Sequence, residues 1–329
     1  MTRPASLYAG LTLIVALGVV LSLTVGRAGM PMFENWWTLW ATDPDSASII
    51  LWDLRVPRVL LAILIGGALG IAGAGLQGLL RNPLAEPGIT GASSGAALCA
   101  ILVFYFGAAD AFPMALPLAG IGGALASVML LYVAAGRGAP TLTLILAGVA
   151  ITAIAGALSS LALNLAPSPY AALEIVFWTM GSLTDRSMAH VWLAGPFILA
   201  GAAMLMASGR GLNALTLGDE TAEAMGAPLG RTRFLVIVGT GLAVGAAVSV
   251  AGVIGFVGLV APHLLRPLVA HRPSALLPAS FLGGAGLLLF ADAAARFLSP
   301  GPELKIGVVT ALVGAPFFLW AVFASRRDA

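Results

Sequence analysis

The chain has 329 residues, 60% of them hydrophobic and 9% charged, with a mean hydropathy of +1.01 and a net charge of +2. Soluble domains carry about 25% charged residues, so this chain lacks the polar surface needed to stay in water. Its few basic residues are dispersed, which excludes a nucleic-acid interface, and its one cysteine, Cys99, allows no intramolecular disulfide.

Apolar runs suited to a hydrocarbon core of ~30 Å follow one another at 7–26, 57–80, 90–107, 112–135, 141–166, 188–207, 232–251, 253–269, 274–298 and 305–324. They predict an all-α polytopic membrane protein of ten transmembrane helices, with 1–329 as a single transmembrane domain. The first run is long for a signal-peptide core and no clean A-x-A site follows it, so it reads as a span. The eighth is short and interrupted by glycine.

Ten spans put both termini on one side. Arg3, Arg81, Arg137, Arg210, Arg231, Arg233, Arg266, Arg272, Arg326 and Arg327 fall on that side, against Arg27, Arg55, Arg58, Arg186, Arg296 and Lys305 on the other. This asymmetry places both termini in the cytoplasm. Trp36, Trp37, Trp40 and Trp52 suit an outer interface between the first two spans.

Arg55 and Arg58 lie three apart on one helical face where the second span emerges, and Arg296 follows Asp292 by four residues. With Arg186 they run against the positive-inside trend. They read either as snorkelling or ion-paired side chains, or as a docking surface for an acidic partner, whose encounter such charges would steer.

Within the second span Gly66, Gly70, Ala74 and Gly78 form a ridge of small residues, as do Gly241 and Gly245 later, and such ridges let helices approach closely in lipid. The stretch Gly73–Gly78 matches G-x-G-x-x-G, but it lies inside a membrane helix with no preceding strand, so it reads as packing rather than a dinucleotide site. The charged, Pro- and Gly-broken joint at 81–95 follows.

The fifth span carries Gly148, Thr152, Ala155, Gly156 and Ser159 at helical spacing, with Ser160 and Asn164 nearby. Such a weakly polar stripe either lines a passage for bulky cargo or hydrogen-bonds within a packed bundle.

A short helix is expected at about 217–226, between the sixth and seventh spans. Thr216 with Asp219 resembles an N-cap pair, Asp219, Glu220 and Glu223 suit a helix N-terminus, and Gly226 and Pro228 would end it. Its acidic character fits a protein contact better than a lipid surface.

Chemistry of other kinds finds little support. The only lysine, Lys305, is in no Walker A loop, so ATP would have to be hydrolysed on a separate subunit. His190, His263 and His271 show no metal-ligand spacing, and no nucleophile–base pair or paired carboxylate suggests catalysis. A stand-alone secondary transporter or channel remains the alternative, with Asp292 as the one intramembrane acid and Arg296 placed to neutralise it.

Five motifs in order carry a resemblance over nearly the whole chain: Leu54–Arg58, Asn82–Pro87 with Gly91–Ala96, Leu217–Gly226, Gly255–Arg266 and Gly307–Phe317. The chain resembles the FecCD-type permeases of ABC importers for vitamin B12, haem and ferric siderophores. The resemblance implies the type II ABC importer permease fold in a bacterial inner membrane, working as a homodimer with cargo passing along the dimer axis. It implies two ATPase subunits, which carry the ATP and Mg²⁺ while this chain binds no cofactor, and a periplasmic substrate-binding protein. By the family pattern Arg55, Arg58 and Arg296 receive the binding protein. Leu217, Gly218, Asp219, Glu220, Ala222, Glu223, Met225 and Gly226 form the coupling segment, with methionine in place of the usual leucine. Asn82, Leu84 and Thr141 sit at the cytoplasmic gate, and Thr152, Ser159 and Asn164 are candidates for the translocation path. Ferric siderophores or haem rank first as cargo, and corrinoids follow closely.

Overall fold

The computed structural model describes residues 4–24, 40–108, 112, 114–135, 141–166, 168–299 and 303–325, within which the backbone is helical between short turns and contains no strand. In chain order the helices are α1 (Pro4–Thr24), α2 (Pro44–Ile49) running through a π-helical stretch (Ile50–Arg55) into α3 (Val56–Leu79), α4 (Ala92–Tyr105), α5 (Ala115–Ala135), α6 (Thr141–Asn164) and α7 (Pro169–Thr179). They continue as α8 (Met188–Ala207), α9 (Gly209–Leu215), α10 (Asp219–Ala224), α11 (Leu229–Ala251), α12 (Val257–Leu265), α13 (Pro273–Phe297) and α14 (Ile306–Ser325).

Among the described residues, seven helical stretches are long and apolar enough to cross a membrane: Ala5–Thr24, Pro44–Leu79, Ala115–Ala134, Leu142–Asn164, Met188–Ala207, Leu229–Ala251 and Pro273–Phe297. Ala92–Tyr105 and Ile306–Leu319 are shorter apolar helices. The expected boundaries mostly lie within three residues of these. The second span differs: its helix begins at Pro44, because Asp43 accepts the Ser46 N–H at 3.1 Å and caps a turn that runs on without a break.

The expectation of a tenfold helical crossing is corrected at 253–269. Only the nine residues Val257–Leu265 are α-helical there, about 14 Å at 1.5 Å per residue, less than half the hydrocarbon thickness. Gly252 at φ +72° and Phe256 at φ +65° break the helix, and the intervening backbone is neither helix nor strand. The run is uniformly apolar, so hydrophobicity alone does not distinguish a whole helix from a half-helix.

Helices α3 and α11 form the buried centre, with 83% and 78% of their most apolar stretches enclosed, whereas α1 and α6 lie outermost at 17% and 22%. The closest pairing is α3 on α13. A Cβ on Gly70 would collide with the Ser280 carbonyl oxygen, and one on Gly66 with that of Gly284. With no hydrophobic force between helices in lipid, this backbone contact is what holds the pair. Gly73 abuts Gly258 of α12 in the same way, so the G-x-G-x-x-G stretch is helix packing. Gly245 of α11 faces Ala124 of α5, the second small-residue ridge.

These contacts fix the path of the broken segment. Gly252 packs against Trp178 and Gly181 at one end of the bundle, Gly258 lies against Leu69 and Gly73 midway along α3, and Arg266 reaches Gln77 at the other end. The chain thus returns through the bundle as a short irregular stretch followed by a half-helix.

Candidate functional site

The joint after α3 makes a second half-helix. From Leu80 the chain turns back into the bundle, where Pro87 packs against Gly258, and a 3₁₀ turn (Pro87–Thr90) leads through Gly91 at φ +77° into α4. Two half-helices, α4 and α12, therefore start at mid-depth beside one another. Irregular backbone at such depth is tolerated only where protein or a cavity satisfies it. Here Glu86 Oε1 accepts the Phe256 N–H at 2.8 Å, and Thr152 Oγ1 donates to the Gly88 carbonyl at 3.1 Å.

Between these starts lies a cavity of about 500 Å³, lined mainly by apolar groups from Leu69, Pro87, Val149, Val253 and Ile254, with Glu86, Ser93, Ser94 and Thr152 as its polar side chains. It is a mostly apolar hollow with a few polar groups, the make-up of a small-molecule site. Of the expected path residues, Thr152 lines it. Ser159 instead donates to the Ala155 carbonyl at 2.8 Å within α6, and Asn164 is exposed at the end of that helix.

Asn82 and Leu84 stand at the entrance to the joint, where Asn82 Oδ1 accepts the Leu84 N–H at 2.9 Å in a local turn. Thr141 begins α6, and its side chain lies outside the described residues.

At this same end, the expected short helix forms as α10, Asp219–Ala224. Its start differs from the expectation: Thr216 donates to the Asn213 carbonyl at 2.7 Å rather than capping, and Gly218 at φ +98° is the N-cap. A positive φ is cheap only for glycine. Gly226 at φ +74° ends the helix, with the Ala227 N–H bonded to the Ala222 carbonyl at 2.9 Å.

Asp219 is freed from capping and pairs with Arg81 of the joint at 2.7 Å and with Arg233 of α11 at 2.9 Å. Ala222 is buried, Glu220 and Glu223 are exposed, and Leu217 and Met225 flank the helix with 58% and 65% of their surface open. This end of the chain thus presents two exposed apolar side chains beside two exposed acids.

The opposite end holds a charge cluster. Arg58 pairs with Asp292 at 2.8 Å and with Glu303, while Arg296 reaches Asp292 at 2.8 Å and Ser22 Oγ at 2.6 Å. Arg55 donates to the Leu23 carbonyl. Arg55 and Arg296 are buried, Asp292 is fully so, and Arg58 is nearly so. All three expected docking arginines thus share one patch, clasping α1, α3, α13 and the approach to α14. Arg296 makes the expected pair with Asp292.

The histidines play structural parts. His190 Nδ1 accepts the Ser187 N–H at 3.1 Å at the start of α8, and His263 packs edge-on to Phe317 with centroids 5.4 Å apart.

Glu86, Arg81 and Arg233 are site residues that sequence reasoning did not single out. The signal for Glu86 was present, as a lone carboxylate bracketed by prolines between two apolar runs. The partners of Asp219 come from the distant joint, at Arg81, and from the next helix 14 residues on, at Arg233, a spacing that no local pattern marks.

The family model described as the FecCD transport family matches residues 13–324. The chain is 38% identical over 318 residues to the hemin transport system permease protein HmuU of Yersinia pestis, covering 93% of each chain. It is 38% identical over 317 residues to the vitamin B12 import system permease protein BtuC of Klebsiella pneumoniae, covering 96% of this chain and 93% of that one. A solved structure, an inward-facing conformation of a metal-chelate type ABC transporter, superposes with a TM-score of 0.86 at 33% identity, covering 98% of this chain and 100% of the other. The family model spans nearly the whole chain, and the chain belongs to the FecCD transport family.

Proposed function

We propose that this chain is the membrane-spanning permease subunit of a binding-protein-dependent ABC importer for a bulky metal chelate. Ferric siderophores or haem are the first cargo class and corrinoids the second, in keeping with relatives named for hemin and for vitamin B12. One observation carries the reading. The joint 80–91 bonds at Arg81 to α10 and at Glu86 to the half-helix beside the cavity, so a push on α10 is delivered to the cavity wall.

On this reading the α10 end is cytoplasmic and an ATPase pair docks on Leu217, Gly218, Asp219, Glu220, Ala222, Glu223, Met225 and Gly226. ATP and Mg²⁺ reside on those partners. α1, α3, α4, α5, α6, α8, α11, the 252–265 segment, α13 and α14 make ten passes through the bacterial inner membrane, with both termini cytoplasmic. A second copy completes the translocation path, Asn82, Leu84 and Thr141 border its inner mouth, and a periplasmic binding protein meets the Arg55, Arg58 and Arg296 patch. ATP-driven population shifts between outward- and inward-open states then move the cargo. A stand-alone secondary transporter is less well supported, since Asp292, its one candidate for ion coupling, is held between two arginines.

The test is to co-express the chain with its genomic neighbours, weigh the complex by native mass spectrometry, and measure uptake into proteoliposomes. Two copies bound to two Walker-A subunits, with ATP-dependent uptake of haem, a ferric siderophore or cobalamin, is the expected result. Uptake driven by an ion gradient and indifferent to ATP would sink the proposal.

A further inference from the structure

A second cavity, of about 630 Å³, opens at the α10 end between the close of α3, α9 and the turn joining α12 to α13. Arg81, Arg266, His271 and Arg272 line it beside Gln77 and Ser274, and its lining residues include no Asp or Glu. Arg81 gives one nitrogen to Asp219 on the far side. Arg266 Nη2 donates to Gln77 Oε1 at 2.5 Å, while its Nε is buried without a partner.

The turn is built to bring these groups together. Ala270 and His271 both lie in the left-handed region, at φ +51° and +59°, and the His271 N–H bonds back to the Arg266 carbonyl at 3.1 Å. Arg266 and Arg272 are thereby folded onto one opening. Two residues either side of Arg266, Leu264 and Leu268 are 54% and 51% exposed.

We infer that this pocket holds the phosphate of an anionic phospholipid headgroup. A guanidinium fork matches phosphate oxygens, and basic pockets between membrane helices are suited to such headgroups.

The experiment is native mass spectrometry of the delipidated full chain in detergent, titrated with phosphatidylglycerol, phosphatidylethanolamine or inorganic phosphate. Phosphatidylglycerol should be retained over phosphatidylethanolamine, and Arg272→Glu or Arg266→Gln should lower its retention about tenfold, the loss of one charge-assisted bond. Should Arg266→Gln fail to fold, Arg272→Glu on the exposed turn carries the comparison. Equal retention of both lipids, or no change in Arg272→Glu, overturns the proposal. Displacement of the lipid by millimolar inorganic phosphate would identify a free-phosphate site instead. Unchanged lipid retention together with release of a co-purifying ATPase subunit in Arg272→Glu would assign the pocket to a protein partner.

Discussion

Glu86 Oε1 accepts the backbone N–H of Phe256 at 2.8 Å, joining points 170 residues apart in the chain. Phe256 is the N-cap of α12, so the carboxylate satisfies one of the orphan donors at a helix start and meets the positive end of its dipole. The same joint begins at Arg81, which is bonded to α10. The joint thus runs from α10 to the wall of the mid-depth cavity, and on the proposed function it is the path by which an ATPase docked on α10 would act there.

Removing that link should loosen the cavity wall. Glu86→Ala leaves the Phe256 N–H unsatisfied at depth and is expected to destabilise the fold by about 1–3 kcal/mol. Glu86→Gln keeps an acceptor of nearly the same shape and should be milder. Thermal unfolding of the two variants in detergent checks the order, and equal melting temperatures would show that the contact holds nothing.

Most of the helices were legible because apolar run length is a direct reading of membrane thickness, and eight of the ten runs, all but 57–80 and 253–269, correspond to helices ending near where the hydrophobicity ends. The 253–269 run was not, since protein-enclosed irregular backbone is as apolar as helix, although Gly252, Gly255 and Pro262 marked the weakness. Helix α7 was passed over even though Ser168 before Pro169 is a start signal, and Ser168 does accept the Ala171 N–H at 3.2 Å. Thr152 was found from its stripe. Ser159 shares that stripe and yet bonds inside α6, because spacing sets a face but not a side-chain partner.

Asp219 separates coupling from stability. Its carboxylate is 38% exposed, and its partners Arg81 and Arg233 are 44% and 12% exposed, so each pair contributes no more than about 1 kcal/mol. Asp219→Ala should therefore melt near the parent temperature while ATP-driven uptake falls severalfold. A proportionate loss of both would make α10 a structural element.

Asp292 should behave in the opposite way. It is fully buried between Arg58 and Arg296, and Asp292→Ala would leave Arg58 with Glu303 alone and Arg296 buried with Ser22 as a neutral partner, at a cost of about 3–5 kcal/mol. Docking can be distinguished from clamping at Glu303. Arg58→Gln combined with Glu303→Gln should recover stability relative to Arg58→Gln alone, because neither charge is then unmatched. Affinity for an acidic binding protein should stay lowered. If affinity recovers as well, the cluster is purely a clamp.

The cluster also predicts a pH dependence. Burial alone would raise the Glu303 carboxyl, but its hydrogen bond to Arg58 and the charges of Arg58 and Arg296 outweigh that and hold it below its ordinary value of 4.5. A lowered folded pKa means stability that is fully present above the ordinary value and is lost as the pH falls through the folded one. Melting temperatures should decline below about pH 4.5 in the parent, and less steeply in Glu303→Gln.

Two glycines give contrasting expectations for assembly. A Cβ on Gly70 meets the Ser280 carbonyl, so Gly70→Ala forces α3 and α13 apart and should destabilise a single copy by about 1–3 kcal/mol. A Cβ on Gly156 of α6 has no atom within 4 Å, so Gly156→Leu is accommodated without strain in one copy. If α6 faces a second copy across the translocation path, the same substitution places a bulky side chain where two backbones approach. Native mass spectrometry should then show Gly156→Leu with a parent-like monomer and a depleted dimer. A dimer population unchanged by Gly156→Leu would move the homodimer contact away from this face of α6.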